Sequence, residues 1–464
     1  MTTRVGPAVT TSASDTGGPA AVRVLLPAGP RPDPFVLAGG TGIVFVDGGR
    51  VLVGLGRAVT LELPGGLDDR PAVDAAAAAL AAIPFEDGAS ASSGSHGHGV
   101  LAFAALPFDR SSRSELVVPE LVYCSEDDGT EWVTIVSADG SGLPDVTDPG
   151  TGAALRRCLD ESSDDRPDAV VPSPVRLRPR TSDRDFTNAV AGAVDAIHRG
   201  ELSKVVLARA VDVHLDRPVD IPRLLARWRA LEPACTLFSV PTGAGQFVGA
   251  SPELLVERVG DRVTSRPLAG TTDRDHDAAS ALPASLADSP KDTEEHRLVV
   301  DAIRAELAPL ASTLTVPDRP ELVHLHTITH LGTTIDGTLR PEPAGTVPSA
   351  LHLVARLHPT PAVGGVPRRE AIEWIARLET GPRGTYAGPV GYMDAAGDGR
   401  WMVGIRALTV DGADAVLTAG VGIVAGSDPA TELAETGLKF RAVFDALAPG
   451  VAFTTDQVPA GRTP

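Results

Sequence analysis

The pattern of apolar and polar positions divides the chain at about residue 170 into a β-rich part and a mixed part. In the first part, short runs rich in valine, leucine and isoleucine predict strands. An alanine-rich run at 71–82 predicts a helix among them. The predicted strands occupy residues 22–26, 43–46, 51–54, 101–105 and 132–136.

After residue 170, helices and strands follow one another, and the clearest helix lies between Ser182, a good N-cap, and Gly200, a natural stop. A strand at 204–215 comes next, and its alternation puts Lys204 on the same face as Val206 and Ala208. A lysine that opens a strand usually reaches solvent, and the pattern alone favours that interpretation. Burial in a pocket with nearby cations would instead lower the pKa of Lys204 and make it a usable base.

Glu253 stands in the apolar run Ser-Pro-Glu-Leu-Leu-Val, ahead of a Gly-Asp-Arg sequence at 260–262 that predicts a hairpin turn. Alone, such a residue is most often a strand end that faces solvent. A carboxyl group set into an apolar strand, however, is costly to ionise and keeps its proton toward neutral pH. Glu253 is therefore a candidate general acid.

Two later helices each begin with acidic residues three positions apart, which places the two side chains on one helix face. Asp292 and Glu295 open the first helix, and Glu432 and Glu435 open the second. The helix dipole alone favours acidic residues in a first turn. Two acidic helix starts that face each other would nevertheless repel unless a hard cation lay between them, and oxygen-only ligation suits Mg²⁺.

The remaining pattern predicts strands at 323–328, 401–410 and 415–424 and a helix at 369–378. Arg406 falls in the middle of the second of these strands, where a buried guanidinium needs an anionic partner. A structural salt bridge is the simpler interpretation, although no acid stands at an obvious spacing. Gly420 and Gly422 would let backbone N–H groups approach an anion closely.

Composition narrows the range of partners and compartments. The 464 residues carry a net charge of −19, which argues against nucleic acid and anionic membranes as partners. A small anionic substrate would need a locally basic or metal-neutralised pocket. The three cysteines have no metal-ligand spacing and no uninterrupted run of 18 apolar residues occurs, so a cytoplasmic protein without a membrane span is predicted.

Several segments are predicted to lie outside the ordered elements. Residues 1–20 and 451–464 are predicted as disordered tails, and 160–174 as a polar hinge between the parts 21–170 and 171–450. A run of Gly, Ser and His at 88–99 contains two histidines. Because glycines flank them, a flexible loop is favoured over a metal site.

Taken together, these runs resemble the chorismate-utilising enzymes, and among them the isochorismate synthases. The matching runs keep their order over about residues 180–445. They are Lys204-Val-Val-Leu-Ala-Arg, Ser251-Pro-Glu-Leu-Leu, Pro267-Leu-Ala-Gly-Thr, Glu295-His296, Leu357-His-Pro-Thr-Pro-Ala, Tyr386-Ala-Gly, Ile405-Arg406, Gly420-Val-Gly-Ile-Val and Glu435-Thr-Gly-Leu-Lys439.

The resemblance implies an α/β (α+β) fold, one large unit of stacked, mainly antiparallel sheets flanked by helices. It implies that Lys204 activates water for attack at C2 of chorismate and that Glu253 protonates the departing C4 hydroxyl. Mg²⁺ would be held by Glu295 and Glu435, with Asp292 and Glu432 as outer carboxylates. Chorismate would bind as substrate to a monomer, and the implied substrate-binding residues are Ala269, Gly270, Thr271, His330, Tyr386, Arg406, Gly420, Gly422 and Lys439.

Three of the relatives differ from this chain at particular positions. Anthranilate synthases resemble it but carry Gln where Lys204 stands, and aminodeoxychorismate synthases carry a nucleophilic Lys where Ala269 stands. Salicylate synthases share both residues and remain the alternative, because they form isochorismate and then eliminate pyruvate. Their segment at 357–362 usually departs from the one found here, which favours isochorismate as the final product. A non-catalytic chorismate-binding subunit is a third interpretation, and the Lys204 and Glu253 pair argues against it because a binding protein needs no acid and base.

Overall fold

The computed structural model of the protein describes residues 17–88, 99–160, 175–273, 286, 289–341 and 347–453. The strands are β1 (Ala20–Leu25), β2 (Ile43–Asp47), β3 (Arg50–Leu55), β4 (Val59–Leu63), β5 (Phe85–Asp87), β6 (Leu101–Ala105), β7 (Ser114–Val118), β8 (Leu121–Ser125), β9 (Glu131–Ser137), β10 (Arg176–Pro179), β11 (Lys204–His214), β12 (Thr236–Thr242), β13 (Gly245–Ser251), β14 (Leu254–Val259), β15 (Arg262–Arg266), β16 (Leu268–Asp273), β17 (Ala311–Thr315), β18 (Glu321–His324), β19 (Ile328–Gly332), β20 (Ile335–Leu339), β21 (Gly365–Val366), β22 (Pro389–Asp394), β23 (Gly399–Val403), β24 (Ala407–Asp411) and β25 (Asp414–Ile423). The α-helices are α1 (Pro34–Ala38), α2 (Arg70–Ala81), α3 (Pro149–Asp160), α4 (Asp183–His198), α5 (Ile221–Leu231), α6 (Pro290–Leu307), α7 (Ala350–Leu357), α8 (Arg368–Leu378) and α9 (Pro429–Leu447).

Within the described ranges these strands form three sheets. A 13-stranded sheet runs in the order β10-β11-β25-β24-β13-β12-β2-β3-β8-β9-β1-β5, with β21 also paired to β11. A nine-stranded sheet runs β17-β20-β15-β14-β23-β22-β6-β7-β4, and β16, β19 and β18 form a small third sheet. The β1–β5 pair is parallel, whereas the other described pairs are antiparallel, as in β11–β25 and β12–β13. The predicted α/β class with stacked, mainly antiparallel sheets is confirmed.

The helix that leads into β11 forms for the predicted reasons. The Ser182 side chain accepts a hydrogen bond from the Asp185 N–H at 3.1 Å, which caps the start of α4. The helix buries Phe186 and Val190 in the main core. Gly200, with φ of 75°, then turns the chain in a conformation that costs other residues more. The chain emerges at the start of β11.

Strand β11 lies between β25 and the short β21, so its first residues are inside the sheet rather than at its edge. Helix α9 packs on β25 and against α4, while α6 packs on β16. The starts of α6 and α9 are thereby brought to the same end of β11 and β25. The fold thus gathers the predicted acidic helix starts beside Lys204.

Two predicted strands are wrong, and both errors fall next to the site. Residues 325–327 form a turn between β18 and β19, so the run 323–328 is not one strand and His330 lies on the second of the pair. The run 401–410 is broken between β23 and β24, and Arg406 takes a positive φ of 51° in that break. Both interruptions lie within mainly apolar runs, so the pattern of apolar positions did not reveal them.

Helices α1, α3, α5 and α7 were not predicted. Most of the two predicted tails, the loop at 88–99 and the hinge at 160–174 lie outside the described residues. Among the described residues, no helix is long and apolar enough to cross a membrane.

Candidate active site

Lys204 is fully buried behind Glu295, which lines the cavity, and 0% of its side chain is exposed. The solvated strand end favoured by the pattern is therefore wrong, because β21 and β25 cover both sides of the strand at this point. The Lys204 Nζ lies 2.9 Å from Glu295 Oε1. It makes no hydrogen bond of normal geometry within the described part of the chain. The ammonium group is thus held by the negative charge of Glu295 rather than by a full set of hydrogen-bond acceptors.

Gly422 makes room for this ion pair. A Cβ atom at this position would lie 2.0 Å from Glu295 Oε1 and 3.0 Å from Lys204 Cε. No side chain fits there without displacing one of the two charged groups. The predicted role for Gly422 was backbone approach to an anion, and the structure adds this steric reason for glycine.

Gly422→Ala is accordingly expected to reduce kcat by on the order of 10²-fold, because misplacing a catalytic group by about 1 Å has that effect. The fold should be retained, since the displaced carboxylate can turn toward the cavity. Steady-state kinetics with a thermal melt would test this. Gly426→Ala is the matched control, because no heavy atom lies within 4 Å of its added Cβ. Unchanged turnover in Gly422→Ala would contradict the steric argument.

Glu253 lies between β13 and β14 and is only 3% exposed. Burial raises its pKa to about 8, although the charges of Lys204, Arg406 and Lys439 and the Leu268 backbone N–H oppose that rise. The carboxyl group therefore carries its proton at neutral pH. The solvent-facing alternative is wrong, because this residue sits where the two large sheets meet the cavity rather than at an open strand end.

Arg406 points a guanidinium with spare donors at the cavity. Its Nη2 donates to His330 Nε2 at 2.9 Å, while His330 Nδ1 lies 2.7 Å from the Gly270 carbonyl oxygen. Burial and the charge of Arg406 hold the pKa of His330 well below its usual value, so the imidazole is neutral and donates from Nδ1 to Gly270. The Arg406 Nε is buried and makes no hydrogen bond within the described residues.

The predicted structural salt bridge for Arg406 is not found, since no described carboxylate lies within ion-pair distance of it. Its positive φ is shared by only one other described non-glycine residue, Ala387, which lines the same cavity. Left-handed backbone in such residues is strained and is maintained where the surroundings enforce it. An unpaired buried cation on a strained backbone is typical of a binding site for an anion.

The cavity gathers the residues implied to bind substrate. Tyr386 lies 8% exposed at its wall, and burial raises the pKa of its hydroxyl to about 12, so it remains a hydrogen-bond donor. The lining includes Glu253, Ala269, Gly270, Thr271, Glu295, His330, Tyr386, Arg406, Gly420, Gly422, Glu435 and Lys439.

The four acidic residues of the helix starts meet beside this cavity, and three of them pair with lysines. The pairs are Glu295–Lys204 at 2.9 Å, Glu432–Lys291 at 2.5 Å and Glu435–Lys439 at 2.7 Å.

Their pKa values show how crowded the negative charge is. Burial and neighbouring carboxylates raise the pKa of Asp292 and of Glu432. Burial opposes the ionisation of Glu435 as well, but the ammonium groups of Lys439 and Lys291 outweigh it and lower its pKa. The side chains as they stand include no group of three or more His, Cys, Asp or Glu residues, among those described, arranged to hold a metal ion. A metal would have to displace lysines.

Residues that the sequence did not single out complete the walls. Arg383 lines the cavity, donates to the carbonyl oxygens of Val363 and Val206 at 2.7 and 2.8 Å, and pairs with buried Glu379. Glu379 also accepts the Ala208 N–H at 2.8 Å. These side chains satisfy backbone groups on the edge of β11 between β21 and β10. The signal available in the sequence was the spacing of four residues between Glu379 and Arg383. The same spacing is typical of exposed ion pairs on a helix, so it did not indicate a buried pair.

Comparison with known proteins identifies the family of the chain. The chorismate binding enzyme family matches residues 47–448. MenF of Mycobacterium tuberculosis, named provisionally as an isochorismate synthase, is 41% identical over 356 residues, which cover 74% of this chain and 85% of that protein. The isochorismate synthase DhbC of Bacillus subtilis is 39% identical over 280 residues, covering 58% of this chain and 69% of that protein.

Among solved structures, the menaquinone-specific isochorismate synthase MenF of Escherichia coli superposes with a TM-score of 0.74 at 25% identity, covering 93% of this chain and 95% of that one. Anthranilate synthase component I of Streptococcus pneumoniae shares the fold, with a TM-score of 0.64 at 22% identity, covering 94% of each chain. The family match includes every residue that lines the cavity. The chain belongs to the chorismate binding enzyme family.

Proposed function

We propose that this protein converts chorismate to isochorismate, with Lys204 as the base and Glu253 as the acid. The observation that carries the proposal is the state of Glu253. It is a buried carboxyl group whose pKa of about 8 keeps it protonated at neutral pH, in a cavity that also contains cations. Loss of a hydroxide from carbon requires a proton donor of this kind.

The reaction balances without redox chemistry or a second substrate. Lys204 acts as a neutral amine, after its ammonium has given up a proton to solvent. The amine takes a proton from a water molecule as the water oxygen bonds to C2, the ring double bonds shift, and the C4–O bond breaks. Glu253 gives its proton to the departing oxygen, which leaves as water. One water enters and one leaves, so the net change is an isomerisation. The proton on Lys204 must then return to Glu253 before the next turnover.

The substrate is a dianion, and the cavity supplies cations and donors for it. Arg406 has an unsatisfied buried Nε, and Lys439 reaches the cavity between Glu435 and the Gly420 carbonyl oxygen, at 2.7 and 2.9 Å. Tyr386 adds a hydroxyl donor within the same wall. These groups explain how a chain of net charge −19 can attract a dianionic ligand.

We further propose that the four carboxylates of the two helix starts hold Mg²⁺. We call these residues the acidic cluster: Asp292, Glu295, Glu432 and Glu435. The fit rests on the donor set, which is all carboxylate, and on Glu432 Oε2, a buried oxygen that accepts no hydrogen bond of normal geometry from the described residues. Glu295 and Glu435 line the cavity and would hold the ion, with Asp292 and Glu432 behind them. When bound, Mg²⁺ would neutralise the substrate's ring carboxylate and the cluster together.

Metal dependence should follow these carboxylates. Glu295→Gln and Glu435→Gln each remove one anionic oxygen at nearly constant shape, so Mg²⁺ affinity should fall and added Mg²⁺ should partly restore the rate. Titrating the rate with Mg²⁺ for the parent and both variants tests this. A parent enzyme that stays fully active in excess EDTA would remove the metal from the proposal.

Product analysis tests the reaction itself. Chorismate is incubated with the protein and Mg²⁺, and isochorismate, salicylate and pyruvate are separated and quantified. Isochorismate without pyruvate is expected. Stoichiometric pyruvate with salicylate would favour salicylate synthase, and no change in chorismate would overturn the catalytic proposal.

A further inference from the structure

The chain uses lysine at only three positions, against 38 arginines. All three lysines lie against the acidic cluster: Lys204 on Glu295, Lys439 on Glu435 and Lys291 on Glu432. Elsewhere the described ion pairs use arginine or histidine, including buried pairs such as Arg156–Glu131 and Arg383–Glu379. Lysine is thus confined to one site.

A physical difference explains why these positions would resist arginine. Guanidinium is planar, often binds a carboxylate through two parallel hydrogen bonds and cannot be deprotonated in proteins. Ammonium is a compact point charge on a flexible stem, so it can leave one acceptor for another. Lys204 and Lys439 already have proposed roles in proton transfer and substrate binding. Lys291 has none, although it shares their surroundings.

Lys291 is placed to neutralise the cluster from its outer side. It occupies the first turn of α6, next to Asp292, and its Nζ donates to Glu432 Oε1 at 2.5 Å across to α9. Glu432 is 1% exposed in this pair, whereas Lys291 is 28% exposed. The lysine side chain is therefore partly open to solvent while that of its partner is buried, so the lysine is the member of the pair that can move away.

The electrostatic surroundings bind Lys291 to the cluster as a whole. Its Nζ contacts Glu432 of the second acidic helix start, and in the chain it directly precedes Asp292 of the first. A dication in the cluster would take over this neutralising role and repel Lys291.

We propose that Lys291 is an exchangeable counter-ion: it holds Glu432 while the cluster is metal-free and releases that carboxylate when Mg²⁺ binds. The inference rests on the metal part of the proposed function. It makes Lys291 a positioning residue that sets metal affinity, and it assigns the residue no contact with the substrate.

Three variants give a graded expectation for Mg²⁺ affinity, measured by calorimetry on the full chain without substrate. Lys291→Met removes the competing charge at similar length, so Mg²⁺ should bind about tenfold more tightly, which corresponds to about 1.4 kcal/mol. Lys291→Arg keeps the charge in a bidentate form that is harder to displace, so Mg²⁺ should bind more weakly than to the parent. Mg²⁺ affinity is expected to be highest in Lys291→Met, intermediate in the parent and lowest in Lys291→Arg.

Arg297→Met is the matched control for loss of a positive charge. It lies on the same helix, but it is 56% exposed and pairs with Glu294 and Asp301 outside the cluster. Its Mg²⁺ affinity should stay within about twofold of the parent, because exposed pairs contribute little. A tenfold effect in this control as well would reduce the Lys291 result to a general charge effect.

The small number of lysines allows a direct view of the exchange. Selective ¹³C or ¹⁵N labelling of lysine should give three side-chain resonances in the full chain, which Lys291→Met assigns in part by removing one. Mg²⁺ should shift the Lys291 resonance toward that of a solvated ammonium at the same concentrations that saturate calorimetric binding. A Lys291 signal unchanged by saturating Mg²⁺ would overturn the proposal.

These outcomes separate the inference from the proposed function. If the parent binds Mg²⁺ and Lys291→Met binds it equally or more weakly, the counter-ion role is wrong while the metal site stands. If the parent binds no Mg²⁺, the metal site and the counter-ion fail together, and product analysis still decides the reaction.

Discussion

Replacing Lys204 by methionine is expected to lower kcat for chorismate isomerisation by about 10²–10⁴-fold, the usual contribution of a general base. Methionine fills nearly the same buried volume but cannot accept a proton from water. The KM for chorismate should change much less, because Arg406, Tyr386 and Lys439 remain in the cavity. Steady-state kinetics measured at saturating Mg²⁺ would show the split. A rate within about twofold of the parent would exclude Lys204 as the base.

The structure also sets the control for this experiment. Removing the ammonium leaves Glu295, which is 10% exposed, without the partner that lies at 2.9 Å. Breaking a buried pair on one side costs about 3–5 kcal/mol. The double variant Lys204→Met/Glu295→Gln should recover much of that stability and none of the turnover. A recovery of turnover in the double variant would mean that the single variant failed through misfolding.

Glu253→Gln is expected to abolish turnover in both directions, because the same group donates a proton forward and accepts one in reverse. Chorismate binding should survive, since glutamine keeps the size and the hydrogen bonding of the carboxyl group. Equilibrium binding together with forward and reverse kinetics tests this. Lost affinity with retained kcat would show that Glu253 binds substrate rather than transferring a proton.

The raised pKa of Glu253 also fixes the sign of two pH effects. Because its folded pKa is about 8, the parent rate should fall as pH rises through about 8 and the acid is lost. The folded pKa lies above the unfolded value, so the stability it contributes is present below about pH 4 and is lost as pH rises through about 8. Glu253→Gln should therefore be more stable than the parent at pH 9, by about 5 kcal/mol at most. Equal stability at pH 9 would contradict a buried, protonated Glu253.

Much of the fold followed from local pattern because local chemistry determines it. The α4 cap at Ser182 and the strand that begins at Lys204 depend on short-range features, and both are found as predicted. The interruption at Arg406 was missed because apolar residues flank it on both sides. Its backbone is held by pairing partners more than 150 residues away, such as Gly249 on β13 beside Ala407. The alternation of apolar and polar residues along one strand gives no information about pairing partners so distant in the sequence.

The residue types predicted the chemical groups of the candidate site, but they did not predict that these groups are buried. Lys204 and Glu253 each looked more like solvated strand ends than buried groups, because the strands that cover them come from elsewhere in the chain. The acidic helix starts were predicted to face each other, and the structure adds that Lys291 bridges them. Spacing within one helix could not reveal a partner on another.

The pairing order of the two large sheets has a consequence for how the chain acquires its structure during synthesis. Strand β2 pairs with β12, about 190 residues later, and β6 pairs with β22, almost 290 residues later. Contacts of such long sequence separation slow folding. The N-terminal strands emerge from the ribosome with open edges, which attract other chains until their partners arrive. We expect the yield of folded protein to rise when synthesis is slow and chaperones are present. Catalytic activity should appear only after α9 has been synthesised.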